Sequence, residues 1–515
     1  MHGHARSVGH PVHATESVAT RRVAASAPGV AAHERPYWPA DKVTTRLLTP
    51  LAGALLFGLV ACGKVASEVG AETPDTAPVD AFSPSDSASD VGPEVLADGA
   101  EERPTEAAPP PGPFDVRWAR YVGVSNMLFS PRVAIASDHS VYVSLFAQSA
   151  PRDYGTGTLA CGLNGVLLKH GADGGLKWAR CLTDLAVIGL AVRDDAIVVS
   201  GQFRKGDGTS IAVVSKLTVD GGLLWRREFV APSGQAFVRA LSLDDAGSIY
   251  LGIDADTPIA FAGTGDAPVR PMYLVKLSAA GDQVWVRPAL ACVGCLGGWT
   301  NTVATRDGSV YLAGVTYGSV DFGEAKAIAP STSEQGVFVV RFGTDGVPSS
   351  IVRMSAGKHA TFSDLHVGAK GRVAAVGRCA GNLVLSPVKT LECADGAGFV
   401  ATLSPGSLSP EWATFWPTGY GSAVLDISDR IWAAGSELQR AVIKSWSSDT
   451  ATTFPTWSPS VGSPQSITSL ATTADGSRAA AGAFVGKMDF GGGVVLSATE
   501  PLASWDGHVF VVAFK

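Results

Sequence analysis

Short apolar runs separated by Gly/Asp turns recur from residue 116 to the end of this 515-residue chain. The fullest example, residues 166–178, is an apolar run ending near a basic residue, a Gly/Asp turn, and a second run carrying a tryptophan. Equivalent tryptophans, with Ile351 replacing one of them, are spaced 45 to 66 residues apart: Trp118, Trp178, Trp225, Trp285, Trp412 and Trp457. A period of this size predicts an array of repeated supersecondary units.

Each repeat reads as four short β-strands. In one unit the first two strands cover residues 240–252 and the last two cover residues 272–287, with short polar turns inside each pair. Such spacing is typical of antiparallel hairpins. We therefore predict that every unit is a four-stranded antiparallel meander.

The two ends of the repeat region complement one another. The second and third strand patterns each occur seven times, but the last third strand, residues 508–515, has no fourth strand after it. Residues 116–121 carry an unpaired fourth-strand pattern with Trp118. Since radial arrays protect their edges by pairing chain ends, the sequence predicts an all-β, seven-bladed β-propeller over residues 114–515, whose last blade pairs 116–121 with 508–515.

The repeat resembles bacterial propeller-repeat proteins of the seven-bladed, NHL-like kind. Two of its turns, residues 173–178 and 220–225, also look like the Asp-box of sialidases, which is a fold element without catalytic function. The six tryptophans are accordingly predicted to pack against neighbouring blades, because a large ring on an outer strand can cover the adjoining sheet.

Long connections are predicted between second and third strands, at residues 146–164, 253–271, 315–335, 378–397 and 483–507. In a meander these connections open on one face, and loops on a rigid scaffold are common binding sites. The cysteines at or near these connections are expected to pair locally as Cys161 with Cys181, Cys292 with Cys295, and Cys379 with Cys393. A redox dithiol or half of a metal site remains an alternative for Cys292 and Cys295.

The front of the chain predicts export. Residues 43–61 have the basic start and apolar run of a signal peptide, and their end with Cys62 resembles the lipobox of bacterial lipoproteins. The resemblance implies a lipid on Cys62 as the only membrane anchor, at the outer membrane or cell surface. Residues 62–113 are acidic and Pro-rich, which predicts a disordered tether, and residues 1–42 read as an extension upstream of a true start at Val43.

Charge and motifs narrow the function classes. Residues 114–515 carry 32 basic and 33 acidic residues, a net charge of -1, so nucleic acid is not an expected partner. We expect no cofactor, although Asp194, Asp195, Asp244, Asp245, Asp254 and Asp256 keep calcium open. His139 and His170, beside hairpin turns, are expected to be solvated.

Two functions follow from these observations, and no catalytic residue is assigned. The favoured one is a monomeric, non-catalytic binding, adhesion or scaffold module that contacts a protein or glycan through one loop-rich face. The alternative is a propeller enzyme, a quinone-dependent dehydrogenase or a glycosidase.

Overall fold

The computed structural model describes residues 115–126, 130–147, 151–193, 196–262, 271–291, 297–323, 327–328, 335–386, 389–416, 421–425, 429–437, 440–447, 465–491, 493–498 and 506–514. All regular elements in these ranges are β-strands. Those up to residue 291 are β1 Val116–Asn126, β2 Arg132–Ile135, β3 Val141–Phe146, β4 Arg152–Asp153, β5 Thr158–Leu159, β6 Gly165–His170, β7 Leu176–Leu182, β8 Ala186–Arg193, β9 Ala196–Arg204, β10 Ser210–Thr218, β11 Leu223–Phe229, β12 Ala236–Leu243, β13 Ile249–Ala255, β14 Met272–Leu277 and β15 Gln283–Ala291.

The remaining strands continue the same up-and-down order. They are β16 Gly297–Arg306, β17 Ser309–Tyr317, β18 Val320–Asp321, β19 Ala327–Ile328, β20 Gln335–Gly343, β21 Pro348–Ala356, β22 His359–Val367, β23 Val373–Ser386, β24 Lys389–Leu403, β25 Pro410–Trp416, β26 Ser422–Leu425, β27 Ile431–Glu437, β28 Arg440–Trp446, β29 Gln465–Thr472, β30 Arg478–Phe484, β31 Lys487–Asp489, β32 Val495–Ser497 and β33 Asp506–Phe514.

Successive strands assemble into antiparallel, mostly four-stranded meanders, as in a β-propeller. The meanders are β2-β3-β6-β7, β8 to β11, β12 to β15, β16-β17-β20-β21 and β22 to β25, followed by the three described strands β26 to β28. The short strands β18 and β19 extend the edge of β15, and β21 pairs with the far end of β23. The predicted antiparallel meander is thus the repeating unit of the described chain.

The last meander combines both ends of the described domain. Its strand order is β29-β30-β33-β1, so β33 pairs with β30 on one side and with β1 on the other. Trp118 lies opposite Ala513 and Asn126 opposite Asp506 in the β1–β33 register. The N-terminal strand, which is longer than residues 116–121, therefore supplies the outer edge of this sheet.

The hydrophobic core lies between successive sheets. One cluster joins Tyr142 and Leu167 of one meander to Ile197, Val199 and Val213 of the next, and all five side chains are buried. Small residues also contribute to this core, and Ala479, Ala480 and Ala481 of the second strand β30 are fully buried. Each sheet consequently buries its faces only against its neighbours, as expected of a repeat architecture.

The tryptophans join each sheet to a turn of the next. Trp118 Nε1 donates a hydrogen bond of 3.0 Å to the Ala172 carbonyl oxygen, and Trp285 Nε1 donates one of 2.8 Å to that of Thr344. Trp178 and Trp225 make the same contact with Val219 and Ala279. The Trp412 ring is buried near that of Trp446, with ring centres 6.5 Å apart.

An arginine two residues after the tryptophan reinforces several of these contacts. Nε of Arg227 donates to the Gly281 carbonyl oxygen at 2.9 Å, and Nε of Arg287 donates to that of Gly346 at 2.8 Å. Arg120 bonds Gly174 in the same way. The tryptophan and arginine of this Trp-x-Arg motif therefore donate hydrogen bonds to two carbonyl groups of one turn in the next sheet.

One predicted loop is wrong. Residues 378–397 lie largely in strands, because β23 and β24 continue their antiparallel pairing past the sheet and form a long hairpin. The predicted connections at 146–164, 315–335 and 483–507 also contain short strands. The short strands have only two or three residues and so give no apolar alternation. Gly381, Pro387 and Gly396 made residues 378–397 resemble a loop, although Leu383 and Leu385 alternate with an exposed position and are buried.

The expectation for His170 is also wrong. Its side chain is buried, its Nδ1 lies 3.2 Å from the Gly174 carbonyl oxygen, and its ring is 5.7 Å from that of Trp118. Burial lowers the pKa of His170. His139 keeps partial exposure, with its Nε2 3.5 Å from Asp475 Oδ2.

Candidate functional site

The first strands of successive meanders surround a cavity of about 420 Å³. Its lining comes from β2, β8, β12, β16, β22, β26 and β29. The volume lies within the range of about 300–1,000 Å³ that is typical of ligand pockets. The cavity is thus a concave surface to which separate sheets contribute side chains.

Bulges place polar side chains at one end of this cavity. The pairing of β12 with β13 shifts register between Val238 and Ala240, which leaves Arg239 unpaired, and β16 shifts in the same way around Asn301. Ser363 occupies the corresponding position in β22. Since a bulge re-aims the side chain of its extra residue, these three residues line the cavity instead of following the sheet alternation.

This end of the cavity is the end that carries the second-to-third strand connections. In β12 the first residue, Ala236, lies opposite Ala255, the last residue of β13. The connection to β14 begins directly after Ala255. We call this end, with Arg132, Arg239, Asn301 and Ser363, the polar mouth.

Asp254 supports the polar mouth from the adjacent strand. Its Oδ1 accepts hydrogen bonds of 2.9 Å from both N and Oγ1 of Thr300, and its Oδ2 lies 3.2 Å from Nε of Arg239. Burial raises the pKa of Asp254 to about 6, although Arg239 and Thr300 act in the opposite direction. The carboxyl group therefore links two sheets and orients the Arg239 guanidinium.

Arg132 and Asp364 line the same end from opposite parts of the chain. Burial lowers the pKa of Arg132, and the negative charge of Asp364 opposes that effect. Asp364 Oδ2 accepts a hydrogen bond of 2.5 Å from Ser422 Oγ, which in turn accepts the Leu470 amide at 3.1 Å. Ser469 Oγ accepts the Val133 amide at 3.0 Å, so hydroxyl groups tie neighbouring first strands together.

The other end of the cavity carries different chemistry. His366 and Arg306 line it near the hairpin turns. Burial and the positive charge of Arg306 lower the pKa of His366 to about 4. At neutral pH the imidazole is therefore uncharged.

Those acidic residues considered for calcium that the structure describes have other contacts. Asp244 accepts hydrogen bonds from the amides of Ala246 and Ser248 and from the Tyr250 hydroxyl, all at 2.8 to 3.0 Å. Asp256 accepts the Gln235 amide, and Asp245 lies 3.3 Å from Arg193. Within the described ranges no group of three His, Cys, Asp or Glu side chains could hold a metal ion.

Two of the expected disulfide bonds are present. Cys161 is bonded to Cys181 and Cys379 to Cys393. The second bond joins the two arms of the β23–β24 hairpin. Cys292 and Cys295 lie outside the described residues.

Several other predicted sites also lie outside the described residues: Cys62, Asp194, Asp195, Trp457 and the proposed segments 1–42, 43–61 and 62–113. In the part of the chain that is described, no helix has the length and hydropathy needed to cross a membrane.

The polar-mouth residues were not identified from the sequence. A single polar residue in a first strand, such as Arg132 or Asn301, carries no distinctive signal in the sequence. The Trp-x-Arg spacing was visible in the sequence, but it concerns the packing of the sheets. Only the bulges and the meeting of distant strands reveal the cavity.

No family model matches the chain, and no curated protein matches it. Among solved structures, the Dos1 propeller is similar at 10% identity over 78% of this chain and 95% of that one, with a TM-score of 0.39. The Neurospora crassa Pan2 WD40 domain is similar at 11% identity over 77% and 96%, with a TM-score of 0.40. A PL25 ulvan lyase is similar at 12% identity over 71% and 92%, with a TM-score of 0.43. These remote likenesses assign no activity to the chain.

Proposed function

We propose that this protein is a lipid-anchored, seven-bladed β-propeller of the cell envelope that binds a saccharide at the polar mouth without transforming it. The observation that carries the proposal is the convergence of Arg132, Arg239 and Asn301, from three sheets, on one cavity. A rigid concave site with a few placed polar groups is typical of small-molecule recognition.

The spatial order of the first strands supports seven blades. β2 lies beside β8, β8 beside β12, β12 beside β16, β16 beside β22, β22 beside β26, β26 beside β29, and β29 beside β2. The β1–β33 pairing would then join the ends of the ring and remove its open edge.

Export and lipidation rest on the lipobox resemblance at Cys62. Growth with a clickable palmitate analogue should label the protein, and Cys62→Ser should abolish the label. A labelled Cys62→Ser protein would contradict the anchor.

Binding and catalysis are separated by one experiment on the purified full chain. We expect saturable binding to some members of a panel of acidic, neutral and basic oligosaccharides, and recovery of the bound saccharides intact by mass spectrometry. Absence of binding to the whole panel would contradict a saccharide ligand and favour a protein partner.

The enzyme alternative makes opposite predictions for the same preparation. Shortened saccharides would favour a glycosidase, and a quinone absorbance band would favour a dehydrogenase. Either result would overturn the non-catalytic proposal.

A further inference from the structure

The polar mouth contains two cationic side chains whose charges are compensated unequally. Arg132 and Arg239 line this end of the cavity, and Asp364 is the carboxylate among the same lining residues. Part of the Arg239 charge is compensated by Asp254, 3.2 Å away. Arg132 has no such close ion pair among the described residues, and its charge is balanced only through the field of Asp364.

The Arg132 guanidinium also has an open hydrogen-bonding position. Its Nε is buried, and no described residue accepts a hydrogen bond from it. A buried donor without an acceptor is costly, so native structures usually satisfy it with water or a ligand. A carboxylate matches a guanidinium in charge and in its forked geometry.

Asn301 supplies a second open position in the same cavity. Its Oδ1 is buried and receives no hydrogen bond from a described residue. An amide oxygen accepts from a hydroxyl group, whereas a simple carboxylate has no donor to offer. The two side chains together therefore select for a ligand that carries both a carboxylate and hydroxyl groups.

We infer that the polar mouth binds a hydroxylated carboxylate of the uronic acid type, with its carboxylate on Arg132 and a hydroxyl on Asn301. This inference rests on the proposed function and specifies its ligand class. Asp254 holds Arg239 beside the same site and positions its charge.

The test is isothermal titration of the full chain with D-glucuronate, D-glucose, propionate and sulfate, at neutral pH and low salt. Glucuronate should bind at least about tenfold more tightly than glucose or propionate, because only glucuronate satisfies both open positions. Sulfate should bind more weakly than glucuronate, since it has no hydroxyl donor for Asn301.

Variants assign the two contacts. Arg132→Gln should weaken glucuronate binding by about tenfold or more and leave glucose unchanged, while Arg132→Lys should retain part of the preference. Asn301→Ala should weaken glucuronate and glucose and spare propionate. Arg204→Gln, an exposed site outside the cavity, is the matched control and should change nothing.

Three results would overturn the inference: equal affinities for glucuronate and glucose, equal affinities for glucuronate and sulfate, or an unchanged preference in both Arg132 variants that retain the wild-type unfolding midpoint. Equal binding of glucuronate and glucose would leave the proposed saccharide binding intact. Different results would therefore overturn the proposal of saccharide binding and the inference of a uronic acid ligand.

Discussion

Asp254 makes three polar contacts that link two neighbouring sheets. It accepts two hydrogen bonds from Thr300, on the following sheet, and it contacts the Arg239 guanidinium. Its side chain is only 12% exposed, and desolvation of the charged form outweighs these favourable contacts. The polar mouth is therefore organised by a carboxyl group whose ionisation opposes folding.

The pH dependence of Asp254 has a definite sign. Its folded pKa of about 6 lies above the unfolded value of about 4, so between these values the folded state binds more protons and stability falls as pH rises. Relative to Asp254→Asn, the wild type should lose about 1–3 kcal/mol of unfolding free energy between pH 4 and pH 7. Urea unfolding at both pH values measures this difference.

His366 acts in the opposite direction. Its folded pKa of about 4 lies below the unfolded value of about 6.5, so its contribution to stability rises with pH in an overlapping range. Because His366 is present in both the wild type and Asp254→Asn, its contribution cancels when the two are compared.

Asp245→Asn, where the carboxylate is 87% exposed, controls for the loss of one charge. An equal pH response in Asp254→Asn and Asp245→Asn would contradict the burial of Asp254.

At the scale of elements, the turn between the third and fourth strands of one sheet contacts the tryptophan of the neighbouring sheet. Gly281 has a φ of +87°, and a Cβ on it would lie 2.9 Å from ring atoms of Trp225. The same Gly281 carbonyl accepts Arg227 Nε. Glycine is therefore required at this turn for two reasons: its backbone is left-handed, and the Trp225 ring leaves no room for a Cβ atom.

Gly281→Ala should destabilise the protein for both reasons. A left-handed conformation costs a non-glycine residue about 1–2 kcal/mol, and overpacking against Trp225 adds about 1–3 kcal/mol. Gly476→Ala is the matched control, because Gly476 has the same φ of +87° and no atom within 4 Å of the added Cβ. Denaturant unfolding that shows equal losses would exclude a contribution from the Trp225 contact.

The sequence predicted the repeating element better than the cavity. The apolar strands and Gly/Asp turns are local signals, so the meanders and the placement of Trp118, Trp178, Trp225 and Trp285 could be predicted from their spacing. Arg132 and Asn301 acquire their surroundings from strands separated by long stretches of chain. The β23–β24 hairpin was missed because Gly381, Pro387 and Gly396 are loop signals, which outweighed the short alternation of the buried residues Leu383 and Leu385.

At the scale of the whole molecule, the two ends of the described domain pair in one sheet. Ala119 of β1 and Val512 of β33 lie opposite each other, and both are buried. Directly opposed residues in antiparallel strands have Cα atoms about 4.5–5.5 Å apart, which suits a disulfide bond. The register therefore allows the two ends to be joined covalently.

The oxidised double variant Ala119→Cys, Val512→Cys should unfold at a higher denaturant concentration than wild type. In the chain-entropy model, closing so long a loop stabilises by up to about 5 kcal/mol. Peptide mapping without reduction should find the new bond, and each oxidised single variant controls for the substitutions. Failure of the bond to form would show that the two strands are not paired in solution.

The direction of the Trp-x-Arg contacts bears on the order of events during protein synthesis. Trp118 and Arg120 bond the turn at residues 172–174, which belongs to the first meander to leave the ribosome. We therefore expect β1 to pack against that meander early. It should stay bound there while the remaining sheets are synthesised. When β33, the last described strand, is synthesised, β1 would already be positioned to pair with it.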